Sequence, residues 1–77
     1  MAQTVIRLTA RIWREDDSFV SFCPELGVAS CGDSYDHARE MLQEAVELYL
    51  EDMDVEEILN QVHPEAAAFP LDVKIPA

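Results

Sequence analysis

The chain is 77 residues long, enough for one domain, and its 16 acidic against 5 basic side chains give a formal net charge of -11. Such a balance repels a phosphate backbone, so direct nucleic-acid binding by the chain is not expected. Two cysteines exclude a disulfide framework, no apolar run approaches the ~18 residues of a membrane span, and Met1 to Arg7 lacks the basic and apolar regions of a secretion signal. A cytoplasmic protein with reduced thiols is the expectation.

Thr4 to Trp13 alternates, with Ile6, Leu8, Ala10 and Ile12 on one face and Arg7, Thr9 and Arg11 on the other, which predicts a half-buried strand. Arg14 to Ser18 is a polar connector of hairpin length, and Phe19 to Cys23 resumes as a second strand. Trp13 is expected opposite Phe19 across this hairpin, and with Val5 they would form an exposed patch if no helix covers that face. Pro24-Glu25-Leu26-Gly27 stops the strand, because proline cannot donate to a ladder and glycine accepts positive φ. Val28 to Cys31 gives a short third strand and completes an antiparallel meander. Cys23 and Cys31 read as small half-buried hydrophobes, although adjacent strands would allow them to face one another.

Ser34 is an N-cap for a helix over Tyr35–Met53, whose apolar residues Ala38, Met41, Leu42, Ala45, Val46, Tyr49 and Met53 recur every three or four positions. That stripe faces the sheet, and Glu40, Glu44, Glu47 and Glu51 face outward. Asp54 with Glu57 resembles a capping box for a short second helix carrying Val55, Ile58, Leu59 and Val62, which Pro64 ends. Phe69 to Ile75 predicts a final strand with Leu71, Val73 and Ile75 on one face. A right-handed crossover would lay it beside the first strand. The fold class is therefore α+β, in the order β-β-β-α-α-β.

Within this order, one block from Phe19 to Leu50 resembles the N-terminal domain of HicB-type antitoxins. The matching residues are Cys23, Pro24, Glu25, Leu26 and Gly27 at the turn, and Gly32, Asp33 and Ser34 at the helix start. Glu44, Ala45, Glu47, Leu48, Tyr49 and Leu50 match at the helix end. The resemblance implies a partial RNase H-like fold and a role in a toxin–antitoxin system, in which the domain binds a small basic HicA-type mRNA interferase and masks its RNA-binding surface. Family members commonly continue into a helix-turn-helix or ribbon-helix-helix module that binds operator DNA. These 77 residues contain no such module, so the neutralising role is the one expected here.

An RNase H-like outline raises the question of nuclease activity, which needs carboxylates converging on two metal ions. Thr4 to Trp13 contributes no acid, and the other acids fall on loops and on the outward helix face. Nor do His37 and His63 have a serine or cysteine at a spacing that suggests a triad. Cys23, Cys31, His37 and His63 likewise lack the close pairing of a structural zinc site. The chain is thus expected to be no enzyme, without metal or cofactor.

Asp16, Asp17, Glu25, Glu40, Glu44, Glu47 and Glu51 are the candidates for contact with a basic partner, since an acidic surface steers toward opposite charge. The alternative is a stand-alone module of the same fold with a scaffold or regulatory role and no toxin. A chain this short buries only about 60–65% of its unfolded surface, so homo-oligomerisation, as a dimer or tetramer, is the expected additional stabiliser.

Overall fold

The structure is a computed structural model and describes residues 5–76. Thr4, where the first strand is predicted to begin, lies outside them. Three antiparallel strands in the order β1-β2-β3 form one sheet, followed by two helices, which is an α+β fold.

Asp16 and Asp17 form a two-residue loop between β1 (Arg11–Glu15) and β2 (Ser18–Cys23), with Asp16 at φ 55°. Tight hairpin loops require positive φ, which Asp tolerates better than most residues. The loop sets the register: Glu15 lies opposite Ser18, Arg14 opposite Phe19 and Trp13 opposite Val20. The expected Trp13–Phe19 pair is therefore one step out, and a slip of one residue puts two side chains on opposite faces of a sheet. Phe19 lies on the helical side, its ring centroid 4.6 Å from that of Tyr35. Trp13 lies on the outer face, where the Arg11 guanidinium sits 5.7 Å from its ring centroid. A patch of Val5, Trp13 and Phe19 does not assemble.

The ladder begins at Arg11 rather than near Thr4 because β2 ends at Cys23, and Pro24 has no N–H to extend it. Residues 5–10 thus have no strand opposite them. Their alternation persists, with Ile6 and Leu8 half-buried while Val5, Arg7 and Thr9 are exposed. The turn after β2 is closed by the Gly27 N–H, which donates to the Cys23 carbonyl at 2.8 Å with Gly27 at φ 72°. Next, β3 (Val28–Gly32) pairs with β2 so that Cys23 opposes Val28 and Cys31 opposes Val20. The two cysteines point to opposite faces: Cys23 is buried under the helix and Cys31 is exposed on the other side.

The start of α1 (Tyr35–Leu50) is fixed by Ser34, whose Oγ accepts from the His37 N–H at 3.0 Å. In return, His37 Nδ1 accepts from the Asp33 N–H at 2.9 Å. The arrangement is a variant of the capping box: imidazole stands where Glu or Gln is usual, and it accepts from Asp33, one residue before the N-cap, rather than from Ser34 itself. The helix ends at Leu50, short of the expected Met53. Its last turn has no basic residue, and Glu51, Asp52 and Asp54 crowd the negative end of the dipole. Asp54 instead starts α2 (Val55–Val62), its Oδ1 accepting from the Glu57 N–H at 2.9 Å. Gln61 Nε2 then donates to the Tyr49 hydroxyl at 2.8 Å and ties α2 to α1. His63, in the left-handed region, caps α2 just before Pro64.

α1 lies chiefly over β3 and β2 and barely over β1. Beneath it are buried Ser21, Cys23, Leu26, Ala38 and Leu42, with Leu8, Val28, Val46, Leu50 and Val62 packed around the cluster. The core is small, and apolar side chains are left outside it. The last expected strand does not form: residues 67–76 join no ladder, and Phe69, Leu71, Val73 and Ile75 are between 71% and 86% exposed. The segment does not pair with β1. Accordingly the molecule is elongated, 54 × 30 × 17 Å, with a Cα radius of gyration of 15.1 Å. A compact chain of this length would have about 11.5 Å.

Candidate functional site

Two regions bring side chains together in a way that bears on function: the acidic outer face of α1, and the junction of residues 5–10 with the Pro24–Gly27 turn and the flank of α1.

Glu40, Glu44, Glu47 and Glu51 recur at three- and four-residue spacing along α1 and are exposed. Repulsion between neighbours of like charge on a helix is mild, so the face is tolerated at little cost. Gln43 Nε2 donates to Glu47 Oε2 at 2.8 Å. Among the described residues the ion-pair contacts are His37–Asp33 and His63–Glu65, and no carboxylate is paired with Lys or Arg. No ion pair therefore neutralises the face, and Arg39, next to Glu40 and Glu44, is the one basic residue of α1 near it. In the first of those contacts, at 3.8 Å, His37 Nδ1 is already the acceptor of a backbone N–H, so it is a cap rather than a salt bridge.

The seven candidate acids do not converge. Asp16 and Asp17 sit at the hairpin tip, at the end of the sheet where Phe19 opposes Gly32. Glu25 lies at the other end, beyond the Cys23–Val28 pair. Four remain on the helix face as one set.

Glu25 has a structural role that its place in the turn does not reveal. Its Oε1 accepts the Thr9 N–H at 3.0 Å and its Oε2 accepts the Thr9 hydroxyl at 2.6 Å, while the Cys23 thiol approaches Oε1 at 3.5 Å. Thr9 is 16 positions away, and only the register of the first hairpin brings it there. The carboxylate thereby latches the unpaired residues 5–10 onto the body of the fold. Partial burial acts to raise the Glu25 pKa, but the donations from Thr9 and the remaining hydrogen bonds together outweigh it and hold the carboxyl below its ordinary 4.5. Burial pushes the neighbouring Cys23 thiol above 9.0, with Glu25 acting in the same sense. Cys23 is thus a buried core thiol whose deprotonation is disfavoured.

Because the folded Glu25 pKa is depressed, the latch stabilises the fold above the ordinary carboxyl range and is lost as pH falls through the folded value. Glu25→Ala is expected to cost about 1 kcal/mol at pH 7, since charge-assisted hydrogen bonds are worth roughly 1.5–3 kcal/mol and this one is partly solvated. Chemical denaturation at pH 7 and pH 3 checks it: the gap between wild type and variant narrows at the lower pH.

Behind the latch runs a groove of about 550 Å³, between residues 5–10 and the flank of α1. Ile6, Leu8, Leu42, Val46 and Leu50 make it apolar, and Arg7, Arg39 and Glu47 also line it. It exists because α1 stays off β1. Among the described residues no three His, Cys, Asp or Glu side chains are grouped so as to hold a metal ion, and no helix is long and apolar enough to cross a membrane.

The geometry defines a two-layer α+β domain that offers surfaces for contact: an acidic helix face and an apolar groove. No protein-family model matches the chain, and neither the curated proteins nor the solved structures contain a match.

Proposed function

We infer that the chain is a non-catalytic, cytoplasmic binding module of the HicB-like antitoxin type, which covers the RNA-binding surface of a small basic HicA-type mRNA interferase. The observation that carries this reading is the helix face of Glu40, Glu44, Glu47 and Glu51, which has no cationic partner among the described residues. A surface that binds phosphates through Lys and Arg is the complementary shape of charge, and occupying it excludes RNA by competition. The ordered resemblance from the Cys-Pro-Glu-Leu-Gly turn to the Glu-Leu-Tyr-Leu helix end supports the same class of partner. Asp16 and Asp17 extend the acidic surface at the hairpin tip, whereas Glu25 is committed to Thr9.

The test is co-expression with the product of the adjacent open reading frame, followed by an RNA cleavage assay on the purified components. Cleavage by that product should stop on mixing, and the complex should weaken as salt rises. Glu40→Lys with Glu44→Lys should weaken binding at least about tenfold, the scale of a change of ~1.4 kcal/mol. Both side chains are exposed, so the fold is spared. A neighbour that is not small and basic, or cleavage unchanged on mixing, overturns the reading. In that case the exposed apolar segment at residues 69–75 favours the stand-alone, self-associating module.

A further inference from the structure

Every copy of this chain carries both an unused strand and an unused place for one. The strand is Phe69–Ile75, in which Leu71, Val73 and Ile75 alternate with Asp72 and Lys74, the pattern of a strand with one buried face. Its apolar side chains are nevertheless between 71% and 86% exposed, and residues 67–76 make no backbone hydrogen bond among the described residues. The vacant place is the outer edge of β1. β2 pairs with β1 on one side only, and residues 5–10, which continue β1, have no strand on either side. Because α1 leaves β1 nearly uncovered, a strand added at that edge would lay its inward side chains against the groove lined by Ile6, Leu8, Leu42 and Val46.

Charge favours the same arrangement. The body of the chain is strongly acidic, but Phe69–Ile75 contains one Asp and one Lys and is neutral. Arg7 and Arg39 line the receiving groove together with Glu47, which leaves its rim with a small net positive charge. Two copies can thus approach through the parts least subject to mutual repulsion. Since donor and acceptor occur in each copy, one two-fold axis satisfies both at once and closes the assembly.

We propose that Phe69–Ile75 of one copy adds as a strand along β1 and residues 5–10 of a second copy, filling the groove beside α1 in a reciprocal dimer. The exchange gives the exposed apolar segment a partner that its own chain does not supply. It also hides an apolar edge that would otherwise invite indiscriminate pairing.

The experiment is sedimentation equilibrium of the full chain, with hydrogen exchange read at residues 71–75 across a concentration series. The expected result is a species of twice the 8.7 kDa chain mass, with protection of those amides that rises with concentration. Leu71→Asp with Val73→Asp should weaken self-association at least about a hundredfold, since two buried aliphatic side chains are lost. Asp72→Pro with Val73→Pro should also dissociate it, because one of two successive N–H groups must face the ladder. Both variants should keep the helical circular dichroism, because the altered residues are exposed within their own copy. A monomer at high concentration overturns the proposal, as does a dimer that survives both variants. Protection at 71–75 independent of concentration also overturns it, because the segment would then pair within its own chain.

Discussion

Gly32→Ala is expected to cost the protein about 3 kcal/mol, and Gly32→Val to leave it largely unfolded at 25 °C. A Cβ at residue 32 would lie 2.5 Å from the Ala38 backbone nitrogen and 2.8 Å from the His37 carbonyl carbon. Those atoms belong to the first turn of α1, which is held by the His37 N–H donating to Ser34 Oγ and the Asp33 N–H donating to His37 Nδ1. Overpacking usually costs roughly 1–3 kcal/mol when side chains can yield. Here backbone would have to move, so the upper end of that range applies. Total stability for a chain of this size is of order 4–12 kcal/mol, which makes the loss a large fraction.

Gly27 provides the internal contrast. An added Cβ meets nothing within 4 Å there, but the residue sits at φ 72°. Only the left-handed backbone is penalised, at roughly 1–2 kcal/mol. Urea denaturation of Gly32→Ala and Gly27→Ala side by side checks the argument: equal losses, or a larger loss at Gly27, would show that α1 does not press on β3 as described.

Leu42→Ala is expected to cost about 3 kcal/mol, within the roughly 2–5 kcal/mol range for truncating a buried leucine. Leu42 is 3% exposed and belongs to the same buried cluster as Cys23 and Leu26, with Val46 and Leu50 packed against it. So few residues are fully buried that no other side chain can take over its contacts. The same truncation at Leu48, on the same helix but 71% exposed, should cost under ~0.5 kcal/mol. Thermal melts of the two variants give the comparison directly. A small effect at Leu42 would mean that the surroundings collapse into the space, which the sparse packing near the groove would then have to permit.

Much of this architecture is legible along the chain because it depends on local chemistry. Ser34 starts α1, Asp54 starts α2, and Pro24 with Gly27 turns the chain, each through a requirement that acts within three or four residues. What is not legible depends on register. The connector between β1 and β2 looks five residues long, but only Asp16 and Asp17 form the loop. That difference moves Phe19 from the face of Trp13 to the face of Tyr35. The end of α1 is missed because the apolar stripe continues to Met53 whereas the acidic run after Leu50 opposes the helix dipole. The last strand is over-read for another reason: alternation at Leu71, Val73 and Ile75 suits a strand, but a strand also needs an edge to pair with, and residues 67–76 join no ladder.

The same distinction applies to the candidate contact residues. An acidic helix face can be read from periodicity, so Glu40, Glu44, Glu47 and Glu51 fall together as expected. Glu25 cannot be separated from them by residue type. Its link to Thr9 spans 16 positions and is created by the hairpin register, which makes it a latch whose loss destabilises the fold before it touches any partner.

The opposed orientation of the two cysteines gives the molecule a built-in pair of chemical reporters. Cys31, exposed on the outer face of the sheet, is open to a thiol-specific dye in the folded state. Cys23, under the helix and with its thiolate disfavoured by burial, becomes reactive only when the two layers part. One reagent added to the unaltered chain therefore gives a fast labelling phase that counts folded surface and a slow one that times the opening of the core.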